Sequence, residues 1–454
     1  MRSLHSVLTL AFTLAAAACG SSADNGQAGT NGTPGGVGTG GSQGAAGGGG
    51  AAGAAGAQGV PGPSKPVRLL AAGIDGWKPA NRARLNKLLT DRGVASPTFD
   101  PSKRPVAAFD WDNTIVKNDV GDATFFWMLK HDKIRQPAGN DWGTTTAALT
   151  DAAKALLNAG CDGLAAPGEP LPTSSNAACT DAIFKIYDLQ KTSDGMSPWS
   201  TLTTSKINYS YAWVAQLTAG STPDEVRGYA RAAFAENAAA PIGATQTVGT
   251  TTGVAGYVRA YEQMTDLIGA FQDNGFDVWV TTASPQFIVD AISNEVGIAA
   301  SHVLGIRSLV VNGIITTDLQ GCGTVADGSN TLITFDEGKR CWLNKVVFKQ
   351  PAGTELQTTA DLAKRQVFSA GDSDTDIAFM KDATDLKLAL NRNKSQLMCN
   401  ALHNFQNKWI WEPMFIAPKA KKTTPYECGT VLTDNNGVVG VHDEAGTLIG
   451  TKSE

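Results

Sequence analysis

The chain has 454 residues, with 37 Lys and Arg against 42 Asp and Glu, so its formal net charge at pH 7 is −5. Length alone allows two or three domains. No long stripe of Lys and Arg is present, which excludes the electrostatic pattern of a nucleic-acid-binding protein. Residues 20–64 are almost only Gly, Ala, Ser, Thr, Gln and Asn, and such a segment cannot bury enough apolar surface to fold. The folded part is therefore expected from about residue 65.

The N-terminus has the features of an export signal. Arg2 gives a positive start, residues 4–14 are apolar, and small residues follow, in a run too short to span a bilayer. The string from Leu14 to Gly20 resembles a bacterial lipobox, which implies a signal peptide over 1–19 and an acylated Cys19. A secreted chain or a chance cysteine are the alternatives. With 20–64 as a disordered tether, we expect a membrane-anchored lipoprotein facing the periplasm or the cell exterior.

Six further cysteines follow Cys19, and an even number in an exported chain favours disulfide bonds. Six cysteines allow fifteen connectivities. Proximity along the chain predicts the pairs Cys161–Cys179, Cys322–Cys341 and Cys399–Cys428. Buried free thiols are the alternative, and no CxxC string or His cluster indicates a structural zinc site.

Short apolar runs predict buried strands. They are Val106–Phe109, Val278–Thr282, Val367–Ala370 and Leu386–Leu390. Such runs without alternation are typical of parallel strands with both faces covered. Between them, the string from Thr222 to Glu225 has the pattern of a capping box, and Ser284-Pro285 predicts a second helix start. Strands alternating with helices predict an α/β fold with a Rossmann-like, mostly parallel sheet.

Asp112 and Thr282 are 170 positions apart, which is far more than one crossover helix needs. The Ala, Thr and Leu content of the intervening segment predicts an inserted, mainly helical cap over 125–264, with the catalytic core formed by 65–124 and 265–430. The Asn312-Gly313 pair predicts a β-hairpin. Residues 431–454 are predicted to form a small strand-like extension.

Two carboxylates, Asp110 and Asp112, stand at the end of the first predicted strand. In extended chain, residues two apart point the same way, so both can face one cavity. One carboxylate could attack phosphorus while the other, protonated, gives its proton to a leaving alcohol. The structural alternative is a turn in which these side chains cap the backbone.

Further polar residues follow the other predicted strands. Asp372 and Asp376 beside Gly371 would supply oxygen ligands for Mg²⁺. A hydroxyl at Thr282 could donate to a phosphoryl oxygen, and Lys339 could neutralise charge in the transition state, with Lys345 and Lys349 as substitutes. A loop that caps the next helix is the alternative for the acidic pair, and a strand cap is the alternative for Thr282.

Together these segments resemble the four motifs of the haloacid dehalogenase superfamily of phosphatases. The resemblance implies a Mg²⁺ cofactor, the α/β fold of that superfamily with a cap between the first two motifs, and a set of roles. Asp110 would be the nucleophile, Asp112 the general acid and base, and Lys339 would steady both Asp110 and the phosphoryl group. The metal ligands would be Asp110, Asp372, Asp376 and the main-chain oxygen of Asp112, with Ser373 as a minor helper. The phosphate-binding residues would be Thr282, Ala283 and Asn113.

A narrower resemblance is to exported bacterial phosphorylcholine phosphatases. It rests on the strings Phe109 to Thr114, Tyr211 to Gln216 and Ala370 to Asp374. Aromatic faces favour a quaternary ammonium, so the candidates for cap recognition are Trp213, Tyr211, Tyr209, Trp127 and the acidic Asp122. Two adjacent acidic residues in those enzymes align here with Gly121 and Asp122, so one negative charge is missing. Each aromatic residue could equally belong to the cap core.

The sequence thus predicts an exported phosphomonoesterase that acts on a small phosphate ester, with no nucleic-acid partner and with a lipid anchor as its membrane contact. A phosphorylcholine-like substrate leads, and a phosphoserine-like or broad acid phosphatase is the alternative. A phosphotransferase would share the first half-reaction. The alternative of another class is a non-catalytic ligand-binding lipoprotein, which would need no complete acid and base pair.

Overall fold

The computed structural model describes residues 66–201, 203–434 and 437–454. The predicted signal peptide, the lipidated Cys19 and the tether lie outside the described residues. Within the described part, no helix is both long and apolar enough to cross a membrane.

Helices and strands alternate along most of the chain. The helices are α1 Pro79–Arg92, α2 Val120–Lys130, α3 Asp151–Cys161, α4 Ala177–Phe184, α5 Tyr209–Gln216, α6 Pro223–Ala239, α7 Glu262–Asp273, α8 Gln286–Val289, α9 Glu337–Val346, α10 Ile377–Asp382 and α11 Ser395–His403. The strands are β1 Val106–Phe109, β2 Val116–Lys117, β3 Thr245–Val248, β4 Thr251–Ala255, β5 Arg259–Ala260, β6 Asp277–Pro285, β7 Val303–Ile306, β8 Ser308–Val311, β9 Ile314–Leu319, β10 Phe368–Gly371, β11 Leu386–Asn391, β12 Trp409–Pro413, β13 Thr433–Asp434 and β14 Gly437–Val438.

A parallel sheet of order β12-β11-β10-β1-β6-β7 forms the core. Every residue of β1, β10 and β11 is buried. These apolar runs can therefore exist only as inner strands with both faces covered. The predicted α/β fold with a parallel sheet is confirmed, and the four predicted strands appear as β1, β6, β10 and β11.

The strand order reverses next to β1. The chain runs from β1 to β6 and β7 on one side, then returns to β10, β11 and β12 on the other. A crevice opens at the carboxyl edge of a parallel sheet where two such connections diverge, and ligands bind there. Asp110 follows β1 and Asp372 follows β10, so the fold places both carboxylates at this switch point.

The insertion between β1 and β6 joins the core through a short antiparallel pair. Val116 of β2 pairs with Ala260 of β5, so both ends of the insertion start from one place. Beyond this pair the insertion contains helices α2 to α6, as expected for a mainly helical cap. It also contains the hairpin β3–β4, which the sequence analysis did not predict.

Two predicted helix starts have different outcomes. At α6, the hydroxyl of Thr222 accepts from the N–H of Glu225 and the Glu225 carboxylate accepts from the N–H of Thr222, so the predicted capping box is confirmed. The helix expected at Ser284-Pro285 begins one residue later, as the short α8 at Gln286. Strand β6 continues to Pro285, and the hydroxyl of Ser284 donates to Asp112 instead of capping the helix.

The three predicted disulfide bonds are present, which excludes the free-thiol alternative for these cysteines. Cys161–Cys179 joins α3 to α4 in the cap. Cys322–Cys341 ties the segment after β9 to α9, and Cys399–Cys428 ties α11 to the C-terminal segment. The predicted hairpin also forms, from β8 and β9, with Asn312 and Gly313 at positive φ in its turn.

The sequence analysis did not foresee how the edge strand β12 is covered. Helix α1 lies beside it, and the amide of Asn81 and the ammonium of Lys78 both donate to the carbonyl of Trp411 (2.8 and 3.0 Å). Arg84 donates to the carbonyl of Trp409 (3.0 Å). An open strand edge is a template for unwanted pairing, so these side chains close the sheet on this side.

Candidate active site

Asp110 is the first residue after β1 and lines a cavity at the switch point. Its side chain is buried. The hydroxyl of Thr114 donates to Oδ2 (2.9 Å) and the ammonium of Lys339 donates to Oδ1 (2.6 Å). Burial and the neighbouring Asp376 raise the pKa of Asp110, and Lys339 opposes this rise. The carboxylate is thus held in one orientation by two donors, as an in-line nucleophile must be.

Lys339, in the first turn of α9, joins two carboxylates. Its Nζ lies 2.6 Å from Oδ1 of Asp110 and 2.6 Å from Oδ1 of Asp376. Burial alone would lower the pKa of Lys339, but the two carboxylates raise it above its ordinary value, so the side chain stays charged. Lys345, a predicted substitute, points elsewhere and donates to the carbonyl of Gly321.

Asp376 organises the turn after β10. Its Oδ2 accepts from the backbone N–H groups of Asp372 (3.0 Å) and Ser373 (2.9 Å), while Oδ1 accepts from Lys339. A Cβ at Gly371 would lie 2.6 Å from the Cβ of Asp376, so only glycine fits beside this carboxylate. Both oxygens of Asp376 are therefore engaged, one by the turn and the other by Lys339.

The carboxylates fit a hard divalent cation. Asp110, Asp372 and Asp376 each offer an oxygen, and these atoms lie within 4.8 Å of one another. Mg²⁺ typically binds through one or two carboxylates together with waters and substrate phosphate. Because Asp376 is already engaged by Lys339 and two N–H groups, Asp110 and Asp372 are the direct ligands that the geometry favours. The carboxylate of Asp112 lies outside this group of described residues, and its main-chain contribution stays a prediction.

Asp112 lies at the same edge with different neighbours. Its Oδ1 accepts from the N–H of Val120 (2.8 Å), and its Oδ2 accepts from the hydroxyls of Ser284 (2.8 Å) and Thr282 (3.3 Å). Burial and the nearby Asp119 raise the pKa of Asp112 well above its usual range, although these donors oppose the rise. A carboxyl group with a raised pKa can carry the proton that a leaving alcohol needs.

The predicted phosphate-binding residues have different positions. Thr282 and Ala283, both in β6, line the cavity. Asn113 does not: its side-chain oxygen accepts from the N–H of Asn118 (3.0 Å), and its own φ is 62°. Asn adopts this left-handed conformation more readily than most residues, so the geometry gives Asn113 a role in shaping the loop after β1.

The predicted aromatic residues of the cap mostly lie in its core. Trp213 is fully buried and donates to the hydroxyl of Thr145 (2.8 Å). Tyr209 packs near Trp199, and Trp127 stacks on His131. None of the three lines the cavity described here. The alternative of cap core therefore holds for Trp213, Tyr209 and Trp127.

Two other predicted cap residues are at or next to the cavity. Tyr211 lines it directly. Asp122 is buried behind the lining and accepts a hydrogen bond from the hydroxyl of Tyr187, which itself lines the cavity. Burial and the nearby Asp119 raise the pKa of Asp122 well above its usual range. Gly121 packs closely against Ser284: a Cβ at this position would lie 2.7 Å from Oγ of Ser284, so a larger residue would displace that side chain.

The lining residues that sequence reasoning missed include Asp119, Tyr187, Ser284 and Arg392. Two of them follow predicted strands, Ser284 after the second and Arg392 after the fourth, so position at a strand end was a signal for both. Asp119 caps α2 by accepting from the N–H of Asp122 (3.0 Å). Tyr187 comes from a helical turn of the cap, and nothing in its local sequence indicates a site.

Comparison of the sequence with protein-family models gives no match, and comparison with curated proteins gives none either. Among solved structures, the chain is similar to a conserved protein of unknown function from Anaerococcus prevotii, with 18% identity, 74% of this chain and 92% of that chain covered, and a TM-score of 0.45. It is similar to a protein of unknown function from Bordetella pertussis Tohama I, with 14% identity, 69% and 99% covered, and a TM-score of 0.39. It is also similar to a substrate-bound phosphoserine phosphatase, with 13% identity, 68% and 93% covered, and a TM-score of 0.31.

Proposed function

We propose that this protein is a Mg²⁺-dependent phosphomonoesterase of the haloacid dehalogenase superfamily that acts through an aspartyl-phosphate on Asp110. One observation carries the proposal. The ammonium of Lys339 lies 2.6 Å from a carboxylate oxygen of Asp110 and 2.6 Å from one of Asp376. The carboxylate of Asp112 instead accepts from neutral donors, an N–H group and two hydroxyls. Two carboxyl groups in such different environments are suited to two different roles, nucleophile and acid.

The residues support a reaction in two halves. In the first, a carboxylate oxygen of Asp110 attacks phosphorus, the bond from phosphorus to the ester oxygen breaks, and Asp112 gives its proton to the leaving alcohol. In the second, the Asp112 carboxylate takes a proton from water, the water oxygen attacks phosphorus, and the bond to Asp110 breaks. Inorganic phosphate leaves and Asp112 is protonated again. Lys339 neutralises negative charge near Asp110 in both halves.

Asp110 and Asp372 would hold Mg²⁺, and Asp376 would fix the turn that carries Asp372. The cation would supply positive charge that screens the phosphoryl oxygens from the attacking carboxylate. Thr282 and Ser373 line the same part of the cavity and would donate to phosphoryl oxygens.

The charges around the cavity favour a small phosphate that carries an amine. The cationic side chains in the lining, Lys339 and Arg392, come from the core and lie beside the carboxylates of the switch point. On the cap side the lining has Asp119 together with the rings of Tyr187 and Tyr211. A carboxylate and aromatic faces attract an ammonium group. Asp119 could supply the negative charge that Gly121 lacks, which supports a phosphorylcholine-like substrate.

The export of the protein is part of the same proposal. Disulfide bonds such as Cys161–Cys179 form and persist outside the cytoplasm, and they support the predicted compartment. Lipidation of Cys19 and the membrane anchor can be tested by labelling cells with a fatty-acid analogue, where a Cys19→Ala chain should take up no label.

The test of the activity is phosphate release by the purified chain, with Mg²⁺ or with EDTA. The substrates are phosphorylcholine, phosphoethanolamine, phosphoserine and p-nitrophenyl phosphate. We expect Mg²⁺-dependent release that Asp110→Asn abolishes, whereas Asp151→Asn, the same change at an exposed residue of the cap, leaves it intact. No release from any ester by a folded chain would reject the proposal and favour a ligand-binding lipoprotein.

The ranking of substrates decides the finer part of the proposal. Preference for phosphorylcholine or phosphoethanolamine supports amine recognition, while preference for phosphoserine or equal use of all esters favours the alternatives. Adding glycerol and measuring phosphorylated alcohol against free phosphate separates a phosphotransferase from a hydrolase.

A further inference from the structure

Arg392 follows the last residue of β11 and reaches into the acidic end of the cavity. Its Nη1 contacts Oδ2 of Asp372. The side chains of Arg392 and Asp372 are 9% and 2% exposed, so this is a buried ion pair. Arg cannot give up its proton within the protein. The positive charge at Asp372 is therefore permanent, and it can be removed only by moving the side chain.

The ion pair with Arg392 involves the carboxylate of Asp372, which the cation would need as a ligand. Lys339 already balances Asp110 and Asp376, and Arg392 forms an ion pair with Asp372. A divalent cation bound by Asp110 and Asp372 would place two positive charges next to the guanidinium. Like charges at such short range repel strongly in a buried site, so the cation and the guanidinium compete for the same carboxylate.

The side chains of both neighbours of Arg392 are held by the C-terminal segment. The amide of Asn391 and the hydroxyl of Tyr426 both donate to the Glu454 side chain (2.8 and 2.7 Å), and Tyr426 also lies 3.1 Å from Oδ1 of Asn393. Asn393 has φ 61°. Because these contacts fix both neighbours, a displacement of Arg392 would be confined to its long side chain.

We propose that Arg392 is displaced by the divalent cation: it neutralises Asp372 until the cation binds, and its guanidinium then turns to an anionic group in the cavity. The second half of this proposal rests on the proposed function, since the anion would be the phosphoryl group of the substrate. Arg392 lines the cavity together with Thr282 and Ser373. A planar guanidinium there matches the oxygens of a phosphate. Cation binding and anion binding would in this way favour each other.

The first test is titration of the purified chain with Mg²⁺ in a calorimeter, without phosphate or substrate. Arg392→Gln leaves Asp372 without its buried partner, so we expect Mg²⁺ to bind at least fivefold more tightly than to the unchanged chain. Arg392→Lys, which keeps the charge, should stay within about twofold. Arg92→Gln removes a different Arg–Asp pair, with Asp385, and serves as the matched control with unchanged affinity.

Unfolding temperatures guard against a variant that simply fails to fold. Without cation, Arg392→Gln should melt earlier than the unchanged chain, and saturating Mg²⁺ should raise its melting temperature by more than it raises that of the unchanged chain. Equal or weaker Mg²⁺ binding by a folded Arg392→Gln chain would overturn the displacement. If the unchanged chain bound no Mg²⁺ at all, the proposed function itself would fail, which is a different outcome.

The second test measures the affinity for inorganic phosphate, which the displaced Arg392 side chain is proposed to bind. With Mg²⁺ saturating, the affinity for phosphate should fall about tenfold in Arg392→Gln and be partly restored in Arg392→Lys. Without Mg²⁺ the two chains should bind phosphate equally weakly. Unchanged phosphate affinity in the Mg²⁺-loaded variant would overturn the second half of the proposal.

Discussion

One buried lysine holds the acidic site together at the scale of single residues. Removing the ammonium of Lys339 would leave Asp110 and Asp376 facing each other without compensation, and breaking a buried ion pair from one side costs about 3 to 5 kcal/mol. We expect Lys339→Met to lower the free energy of unfolding by about that amount and to lower kcat at least 100-fold. Chemical denaturation and phosphate release measure the two effects.

The control for that lysine lies on the same helix. Lys345 also belongs to α9, but its ammonium donates to the carbonyl of Gly321, outside the acidic site. Lys345→Met should keep kcat within about twofold. Equal losses in the two variants would mean that α9 is sensitive to any lost charge and would contradict a specific role for Lys339.

The proposed recognition of an amine on the cap side depends on the negative charge of Asp119. Asp119→Asn keeps the cap of α2, since Asn caps helices as well as Asp, but removes the negative charge from the cavity. We expect kcat/KM for phosphorylcholine to fall about 10-fold relative to that for p-nitrophenyl phosphate, which corresponds to about 1.4 kcal/mol. The comparison uses the ratio of the two kcat/KM values because Asp119 also raises the pKa of Asp112. A change in that pKa would affect both substrates and would cancel in the ratio. A ratio that does not change would remove Asp119 from substrate recognition.

Asp336 predicts a dependence of stability on pH. It precedes α9 with φ 47° and ψ −111°, and burial, with help from Glu337, raises its pKa to about 7. In the unfolded chain the carboxyl ionises near 3.8. A raised pKa for an acid means that stability is lost as the pH rises from about 4 to about 7 and stays constant above.

Asp336→Asn removes this cost. The variant should match the unchanged chain near pH 4 and exceed it by roughly 1 to 2 kcal/mol at pH 8, a figure reduced from the full pKa difference because solvent reaches part of the side chain. Urea unfolding at both pH values measures the gain. Asp318→Asn, the same change at an exposed residue, should show no such trend. A gain at pH 4 as large as that at pH 8 would assign the effect to backbone strain.

At the scale of elements, α9 links a disulfide bond to the site. Cys341 lies two residues after Lys339 on this helix and is bonded to Cys322. Disulfides of this loop length stabilise by about 2 to 4 kcal/mol. We expect Cys322→Ala with Cys341→Ala to lower stability by that amount and to lower kcat about 10-fold, because α9 positions Lys339.

The disulfide Cys399–Cys428 is the comparison, since it ties α11 to the C-terminal segment instead of to α9. Replacing both of its cysteines by Ala should lower stability by a similar amount while kcat falls less than threefold. If the two double variants lost activity equally, the effect of the first would be one of general stability and not of Lys339.

The elements also explain how much the sequence could predict. The runs of β1 and β10 are mostly apolar and are followed by carboxylates, so the pattern indicated both the strands and the edge where Asp110 and Asp372 meet. The edge strand β12 depends on contacts across the chain that no local pattern encodes. The hairpin β3–β4 did have a local signal, since it turns at Gly249 with φ 56°. Ser284 followed the rule for a helix start, but the pairing of β6 with β7 extends the strand through it.

The cap shows the same limit for side chains. Tyr211 and Trp213 are two residues apart on α5, and sequence alone could not tell which of them faces the cavity. The structure places Trp213 in the cap core and Tyr211 in the lining. Arg392 was missed because its importance comes from a partner, Asp372, that lies 20 residues earlier.

At the scale of the whole molecule, the fold concentrates negative charge. The parallel sheet brings the ends of distant segments to one switch point, and the cap encloses them. The carboxylates that line the resulting cavity are Asp110, Asp112, Asp119 and Asp372. Burial raises the pKa of Asp110 and of Asp112, so keeping these groups ionised in the folded chain has a cost. The buried carboxylates of the proposed active site therefore lower the free energy of unfolding.

The variant Asp112→Asn tests whether the acidic site lowers the stability of the fold while it serves catalysis. The amide oxygen can still accept from the N–H of Val120, and the amide nitrogen can donate to the hydroxyl of Ser284, so the packing is kept while one buried charge disappears. We expect the free energy of unfolding at pH 8, without cation, to rise by roughly 1 kcal/mol, while phosphate release falls at least 100-fold because the leaving alcohol loses its proton donor. Asp318→Asn, at an exposed position, should change neither quantity. A less stable Asp112→Asn chain would show that the hydrogen bonds of the carboxylate outweigh its burial, and the acidic site would then be a source of stability for the fold.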